Sequence, residues 1–353
     1  MNKSQILTQL DNINFPLKEI FFDFFHNHYS RFYFVGGFVR DILLNREIKD
    51  IDVVAEGIEY RDFAKKLNKF LKGTAVDFKD NIRIVKNDVT VDISKLRGET
   101  IGEDLNRRDF TINNLAINFN DGIIGDPSDI ERKVIRMVYE NSFIDDPLRI
   151  LRGFRFMSEL GFGIEHDTLE KIFLEKDLLI SIPSERVNKE LNHLFLCQNC
   201  YKTLKLMKDL AVLYIIFPEL KGLDGLSGGK NHLEDAIEHS LSVTKITHKL
   251  SENYQADQDR LSIIIASLLH DVGKGDERYK ETFGKFVGHE LVSEKFTEKI
   301  LKRLSYPNKM IKEISTIVKK HGVIRQYAIN GVTDATLYKF VYENYKILNK
   351  LID

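Results

Sequence analysis

Asp50 and Asp52, separated by one residue in Lys49-Asp50-Ile51-Asp52-Val53-Val54, lie in a run with β-strand character. Side chains two apart on a strand share a face. The pair therefore offers two hard oxygen ligands on one rigid edge, the arrangement that holds Mg²⁺ ions for phosphoryl transfer. A solvated strand edge carries the same pattern, so the neighbours matter. Shortly upstream, Gly36-Gly37-Phe38-Val39-Arg40-Asp41 follows a β-like run and opens a helix-like one. Paired glycines let the backbone approach a phosphate, and a helix start favours negative charge; a Gly-Gly after a strand is also an ordinary tight turn. Asp92, within Val89-Thr90-Val91-Asp92-Ile93, is either a third carboxylate or a polar position on an exposed face. Arg107-Arg108-Asp109-Phe110-Thr111-Ile112-Asn113-Asn114 completes the set. Its arginines suit bidentate contacts to a triphosphate and its Asp and Asn suit ribose hydroxyls, unless it is a helix start with surface arginines.

These residues need a scaffold. Short β-like runs occur at 32–35, 51–54, 75–78, 82–85 and 89–93, with Lys86-Asn87-Asp88 as a hairpin-like turn and a helix over 61–71. Before them, Ile6, Leu10, Leu17, Ile20, Phe21 and Phe24 have helical spacing. The pattern predicts a small α/β domain with an incompletely parallel sheet. Past about Asp145 amphipathic helices take over, interrupted by the turn-rich Gly222-Leu223-Asp224-Gly225-Leu226-Ser227-Gly228-Gly229. The expected division is therefore 1–140, 141–225 and 226–353.

With 353 residues, 43% of them hydrophobic, the chain can bury more than one core. A formal net charge of −1 excludes a protein that coats polyanions, so an RNA site must use local arginine clusters, at 97–108, 132–136 and 149–155. The longest apolar runs, such as Leu261 to Leu269, fall short of the ~20 residues of a membrane helix. The first residues, MNKSQILTQLDNINF, lack the apolar region of a secretory signal, so a cytoplasmic location and no membrane partner are expected. Cys197 and Cys200, the only cysteines, cannot complete a tetrahedral zinc site and read as reduced thiols, buried or incidental.

The ordered set Gly-Gly-x-Val-Arg-Asp, Asp-x-Asp, Arg-Arg-Asp-Phe-Thr-Ile-Asn and Asp-Asp-Pro-Leu-Arg-Ile-Leu-Arg-Gly-Phe-Arg-Phe resembles the bacterial class II tRNA nucleotidyltransferase and poly(A) polymerase family over roughly residues 30 to 200. The resemblance implies an α+β protein with a polymerase-β-like nucleotidyltransferase head, an all-helical neck and body for nucleotide selection and RNA binding, and a helical C-terminal domain. It implies that Asp50 and Asp52 are catalytic and hold Mg²⁺, and Asp92 is the candidate third catalytic carboxylate beside them. Gly36, Gly37, Arg40, Arg108, Asp109 and Asn113 would hold the nucleotide, and the partners would be CTP, ATP and the tRNA 3′ end.

In Asp145-Asp146-Pro147-Leu148-Arg149, Asp146 makes a good helix N-cap with Pro147 in the first helical position, and Asp145 can pair with Arg149. A second role is compatible with that. Cytosine and adenine each present an amine donor beside a ring-nitrogen acceptor, whereas uracil and guanine present a carbonyl beside an N–H. A carboxylate next to an arginine therefore takes C and A and rejects U and G. The resembling family selects nucleotides in this way, which implies Asp146 and Arg149 as the expected pair, with Arg152 and Arg155 further along the helix as candidates to contact the nucleotide or the RNA. Ser184-Glu185-Arg186 through Glu190 resembles a further family helix of structural character.

His239, His270-Asp271 within Leu-Leu-His-Asp-Val-Gly-Lys, His289 and His321 resemble the HD phosphohydrolase domain, which implies a second divalent metal there, with Asp334 as the candidate last ligand. The link from Thr100 to Asn106 departs from relatives that add a complete CCA, which carry a longer flexible loop; a short link resembles enzymes restricted to CC or to A. Template-independent addition of C, and of A, to the tRNA 3′ end is the leading expectation. Poly(A) polymerase, partial addition and, from another class, an HD-type phosphohydrolase are the alternatives.

Overall fold

The computed structural model describes residues 15–227, 235–279 and 286–352, which form two compact units, one of the described residues up to 145 with 162–169 and one of 146–161 with the described residues from 170 on. Ile6, Leu10, Gly228 and Gly229, which belong to the helical spacing and the turn noted above, lie outside the described residues.

The first unit is built on a seven-stranded sheet in the order β3-β4-β5-β2-β1-β6-β7. Its elements in chain order are α1 (Lys18–Asn27), β1 (Phe32–Val35), α2 (Gly37–Leu43), β2 (Asp50–Ala55), α3 (Tyr60–Leu71), β3 (Thr74–Asp77), β4 (Asn81–Lys86), β5 (Val89–Ser94), α4 (Ile101–Leu105), β6 (Ala116–Asn118) and β7 (Gly122–Ile124). The five strand runs and the 61–71 helix read from sequence match β1 to β5 and α3 within a residue or two. Sheet pairings are antiparallel except for β2 with β5. That parallel pair requires a long crossover, which α3 and the β3-β4 hairpin supply.

Alternation along the strands assigns each face a covering. Phe34 of β1 meets Phe21 edge-on and Phe32 meets it tilted, and Phe32 also meets Phe24, Phe25 and Phe63, an aromatic layer under α1 and α3. Helix α3 meets it with Tyr60, Phe63, Ala64, Leu67 and Leu71, the stripe expected of a half-buried helix. On the opposite face Tyr33, Val35, Val54 and Ala116 form a cluster with Ile101 and Leu105 of α4. Asp50 and Asp52 share the face of Val54, at the end of β2 that α4's cluster leaves to polar groups. The β4-β5 connection is the two-residue turn Asn87-Asp88, with Asn87 at φ 54°, one residue shorter than the sequence suggests.

Strands β6 and β7 carry no pattern that the sequence makes visible. Each has three residues, and the Asn118 side chain organises their turn by accepting from the backbone N–H groups of Asn120 (3.0 Å) and Asp121 (2.7 Å). Pairing of β6 with β1 in the register Phe34↔Ile117, Val35↔Ala116 brings the segment just before β6, residues 107–114, beside the turn that follows β1. The first unit ends with α5 (Ser128–Glu131), α6 (Ser142–Asp145) and the two-residue pair β8 (Val134–Ile135) and β9 (Gly163–Ile164). Arg136 ties this region together, donating to Asp129 at 3.0 Å and Glu165 at 3.1 Å. One member of the 132–136 arginine cluster is thereby committed to structure.

The second unit is helical. Helix α7 (Leu148–Leu160) packs on α9 (Ser184–Leu196), with α8 (His166–Glu175) between them in sequence, and α10 (Cys200–Asp209) and α11 (Val212–Ile216) follow. Helices α12 (Ala236–Ser251) and α13 (Asp257–Leu269) pack as a pair, as do α14 (His289–Arg303) and α15 (Asn308–Lys320); α16 (Val323–Asn330), α17 (Asp334–Asn344) and α18 (Leu348–Ile352) close the chain. Pro147 occupies the position before α7, so the helix starts one residue later than the sequence suggests, yet Asp146 still accepts the Leu148 N–H at 3.3 Å. Cys200 is fully buried, and Cys197 donates its thiol to the His193 carbonyl at 3.0 Å. Among the described residues no helix is long and apolar enough to cross a membrane.

Candidate active site

The turn after β1 is built for close approach. Gly36 has φ +65°, which L side chains rarely adopt, and its N–H is held by the Leu115 carbonyl at 3.1 Å. A Cβ on Gly36 would lie 2.8 Å from Nη1 of Arg108 and 3.9 Å from Oδ2 of Asp52. One on Gly37 would lie 3.5 Å from Nη2 of Arg40 and 4.0 Å from the same Asp52 oxygen. The two glycines, Asp52 and two of the arginines singled out from the sequence thus meet at one point, and at Gly36 a side chain would crowd Arg108.

Asp50 is exposed at the start of β2, Asp52 half-buried, and Ile51 and Val53 fully buried on the other face. The β2-β5 register sets Asp92 directly opposite Asp52. Both Asp92 oxygens are engaged by Arg83, from Nε at 2.9 Å and from Nη2 at 2.7 Å. The Arg83 guanidinium is raised above its usual pKa, first by that hydrogen bond and then by the charges of Asp92, Asp50 and Asp52. Carboxylate oxygens are hard donors of the kind a divalent ion takes, and Asp50 and Asp52 carry theirs on one face of β2.

The Arg-Arg-Asp segment is ordered by its own polar groups. Arg40, only 5% exposed, is gripped by Asp41 through Nε and Nη2, each at 3.0 Å, and donates from Nη1 to Asn113 Oδ1 at 2.9 Å. Asn113 in turn donates to Asp109 Oδ1 at 3.1 Å, which also accepts the Phe110 N–H at 2.8 Å. Arg40, Asn113 and Asp109 thus form a buried chain, its amide orientation fixed by a donor on one side and an acceptor on the other. Asp104, which is not among the residues singled out from the sequence, accepts from Arg108 Nε at 2.9 Å and Nη2 at 2.6 Å. The i, i+4 spacing of Asp104 and Arg108 was the available signal.

In the second unit, Asp146 receives Arg186 Nη2 at 3.3 and 3.2 Å on its two oxygens, while Asp145 accepts from the Tyr139 hydroxyl at 2.8 Å within the first unit. Arg149 is buried on α7. Glu190 of α9 pairs with Arg155 at 2.9 Å and lies 3.9 Å from Arg152, and the Arg155 guanidinium sits 4.2 Å over the Phe156 ring. Arg186 and Glu190, read from sequence as belonging to a structural helix, orient three of the candidate nucleotide residues.

The histidines converge on Asp271, which is 2% exposed. His270 and His289 present Nε2 to its oxygens at 3.1 and 2.9 Å, and His239 and His321 at 3.8 Å each. Ligand atoms of His239, His270 and Asp271, and of Asp271, His289 and His321, lie within 4.8 Å of one another. Three of the rings turn Nδ1 to a backbone carbonyl, of Ser267, Phe286 and Val318, at 2.7 to 2.8 Å. This outer hydrogen bond fixes the tautomer that leaves Nε2 for a metal. Burial would raise the Asp271 pKa, but His270, His289 and Lys274 hold it well below the usual carboxylate range; burial and the His270 charge push His321 down to about 4. Lys274, from the same Gly-Lys signature, donates to Asp271 at 2.7 Å. Asp334, at the start of α17, belongs to neither group.

A sheet head carrying paired carboxylates beside a glycine turn, followed by helices and a His-Asp cluster, defines a nucleotidyltransferase of modular build. Residues 32–102 and 79–136 match the family described as "Poly A polymerase head domain", 161–223 match "Probable RNA and SrmB- binding site of polymerase A", and 236–342 match "HD domain". The chain is 31% identical over 300 residues to a CC-adding tRNA nucleotidyltransferase of Thermus thermophilus, covering 81% of this chain and 67% of that protein. It is 30% identical over 337 residues to an A-adding tRNA nucleotidyltransferase of Deinococcus radiodurans, covering 90% and 74%. Its structure is similar to a Thermotoga maritima CCA-adding enzyme complexed with tRNA, with a TM-score of 0.71, 26% identity, and coverage of 97% of this chain and 78% of that one. The chain belongs to the tRNA nucleotidyltransferase and poly(A) polymerase family, and is a nucleotidyltransferase.

Gly36→Ala tests the glycine turn. The strained φ and the clash with Arg108 should lower triphosphate affinity at least tenfold and cost about 1–2 kcal/mol in stability. Isothermal titration with CTP and ATP and urea unfolding check this; unchanged affinity would remove the turn from the site.

Proposed function

We propose that this protein adds C, and A, from CTP and ATP to the 3′ end of tRNA without a nucleic-acid template. The observation that carries this reading is the proximity of Asp52 to the side-chain-free Gly36-Gly37 turn, with Arg40 and Arg108 beside it. Bound Mg²⁺ at Asp50 and Asp52 would lower the pKa of the terminal hydroxyl and neutralise charge on the triphosphate. Asp50 and Asp52 hold their oxygens on one strand face, and Asp92 is the third carboxylate of the set, its charge balanced by Arg83. Gly36 and Gly37 admit the triphosphate to the backbone, Arg40 and Arg108 meet its oxygens, and Asp109 with Asn113 orient the ribose. Asp146 accepts the exocyclic amine common to cytosine and adenine, Arg149 donates to the adjacent ring nitrogen, and Arg152 and Arg155 contact the nucleotide or the RNA. The domain division is a head over 1–140, a neck and body over 141–225 and an HD domain over 226–353. In that last domain His239, His270, Asp271, His289 and His321 hold a second divalent metal. The reading implies work in the cytoplasm, where tRNA is matured.

A second reading, partial addition of CC or of A, is favoured by α4. The segment between β5 and Arg108 is a short capped helix: the Thr100 hydroxyl accepts the Glu103 N–H at 3.3 Å, Glu103 accepts the Glu99 N–H at 2.8 Å, and Ile101 and Leu105 are buried. Single-turnover reactions with each nucleotide on tRNA ending before CCA, after C and after CC separate full from partial addition. They also separate these from a poly(A) polymerase, which ignores CTP.

Asp52→Ala should abolish addition, by at least a thousandfold in single-turnover rate, while tRNA affinity stays within about twofold, because the metal ligand is lost and the arginines are kept. Near-normal addition would refute the assignment. Asp146→Ala should cut discrimination of CTP over UTP by roughly tenfold, in line with the loss of one charge-assisted hydrogen bond. Unaltered discrimination, measured as the ratio of kcat/KM values, would remove Asp146 from base selection.

A further inference from the structure

We propose that Asp104 is the positioning residue of the triphosphate site, holding Arg108 in its binding orientation before the nucleotide arrives; this rests on the nucleotidyltransferase reading of the head. Asp104 is 1% exposed, the most deeply buried carboxylate of the first unit's polar groups named above. Its Oδ2 takes both Nε and Nη2 of Arg108, and its Oδ1 takes the Arg97 N–H at 3.0 Å. One edge of the guanidinium is thereby consumed, and its remaining terminal nitrogen, Nη1, is the atom that lies against Gly36.

The carboxylate can do this because its own backbone is fixed. Helix α4 carries it. The helix is pinned at its first turn by the Ile101 N–H donating to Glu56 Oε1 at 2.9 Å, and on its apolar side by Ile101 and Leu105 in the cluster with Tyr33, Val35, Val54 and Ala116. Those cluster residues belong to β1, β2 and β6, the strands that also carry Asp52 and lead into the glycine turn. The link from sheet core to guanidinium is therefore continuous: sheet, α4, Asp104, Arg108. An arginine side chain gives up much rotamer freedom when it is immobilised. Asp104 imposes that order in the folded protein, so triphosphate binding does not have to.

Asp104→Asn is the discriminating variant. Its amide oxygen can keep the Arg97 N–H, but its NH₂ then faces the Arg108 donors and both bonds to the guanidinium are lost. We would measure CTP and ATP affinity by isothermal titration in the wild type, Asp104→Asn, Arg108→Met and the double variant, with thermal unfolding of each. Asp104→Asn should weaken binding about tenfold, and should add nothing in the Arg108→Met background, because a residue that acts through another shows no effect once that other is gone. Asp104→Glu, which keeps the charge but displaces it by a methylene, should show the same loss; it serves if the amide variant fails to fold. Full additivity in the double variant, or an affinity within twofold of wild type despite a lowered Tm, overturns the proposal. A wild type that binds neither triphosphate overturns the nucleotidyltransferase reading itself.

Discussion

The chemistry of the head depends on a close approach between a carboxylate and a stretch of backbone that has no side chains. Asp52 can stand about 4 Å from the Cβ positions of Gly36 and Gly37 because β1 and β2 are sheet neighbours and the turn bends back over the end of β2. Any larger residue at Gly36 would meet Arg108 first.

Bringing carboxylates together has an electrostatic cost, and the fold meets it with arginines. Arg83 balances Asp92, Arg40 balances Asp41, and Arg108 balances Asp104. The near-zero net charge of the chain is thus compatible with intense local fields. Arg108 with Asp104 is the buried pair of the three, and such a pair contributes less to stability than to a unique arrangement, since leaving either partner alone would strand a desolvated charge. The His-Asp cluster of the second unit uses the same logic with imidazoles, whose outer nitrogens are tied to backbone carbonyls.

Much of this was legible in the sequence where a single local rule decides the outcome. Short β-like runs located β1 to β5, and the spacing of Asp50 and Asp52 placed them on one face. The four-histidine set around Asp271 was also visible, because Leu-Leu-His-Asp-Val-Gly-Lys is compact, although Asp334 was not drawn in with it. What the sequence hid is what depends on register. Strands β6 and β7 are too short to alternate visibly, yet β6 is what carries residues 107–114 to the glycine turn. Asp92 could be read as a third carboxylate or a polar edge, but its bidentate hold on Arg83 follows from the β4-β5 pairing alone. Asp104 was visible only as one of many i, i+4 acid–arginine pairs, and Glu56 had no local signal, because the backbone N–H groups of Arg97 and Ile101 that they accept reach them only in the folded sheet.

The central claim is that the β2 carboxylates grip a divalent ion beside the glycine turn. A crystal of the protein grown with Mn²⁺ and a non-hydrolysable CTP analogue tests it through anomalous scattering. The account requires manganese at about 2.0–2.3 Å from oxygens of Asp50 and Asp52, with triphosphate oxygens against Gly36 and Gly37. Manganese confined to the Asp271 cluster, with the β2 aspartates unligated while nucleotide is bound, would contradict it.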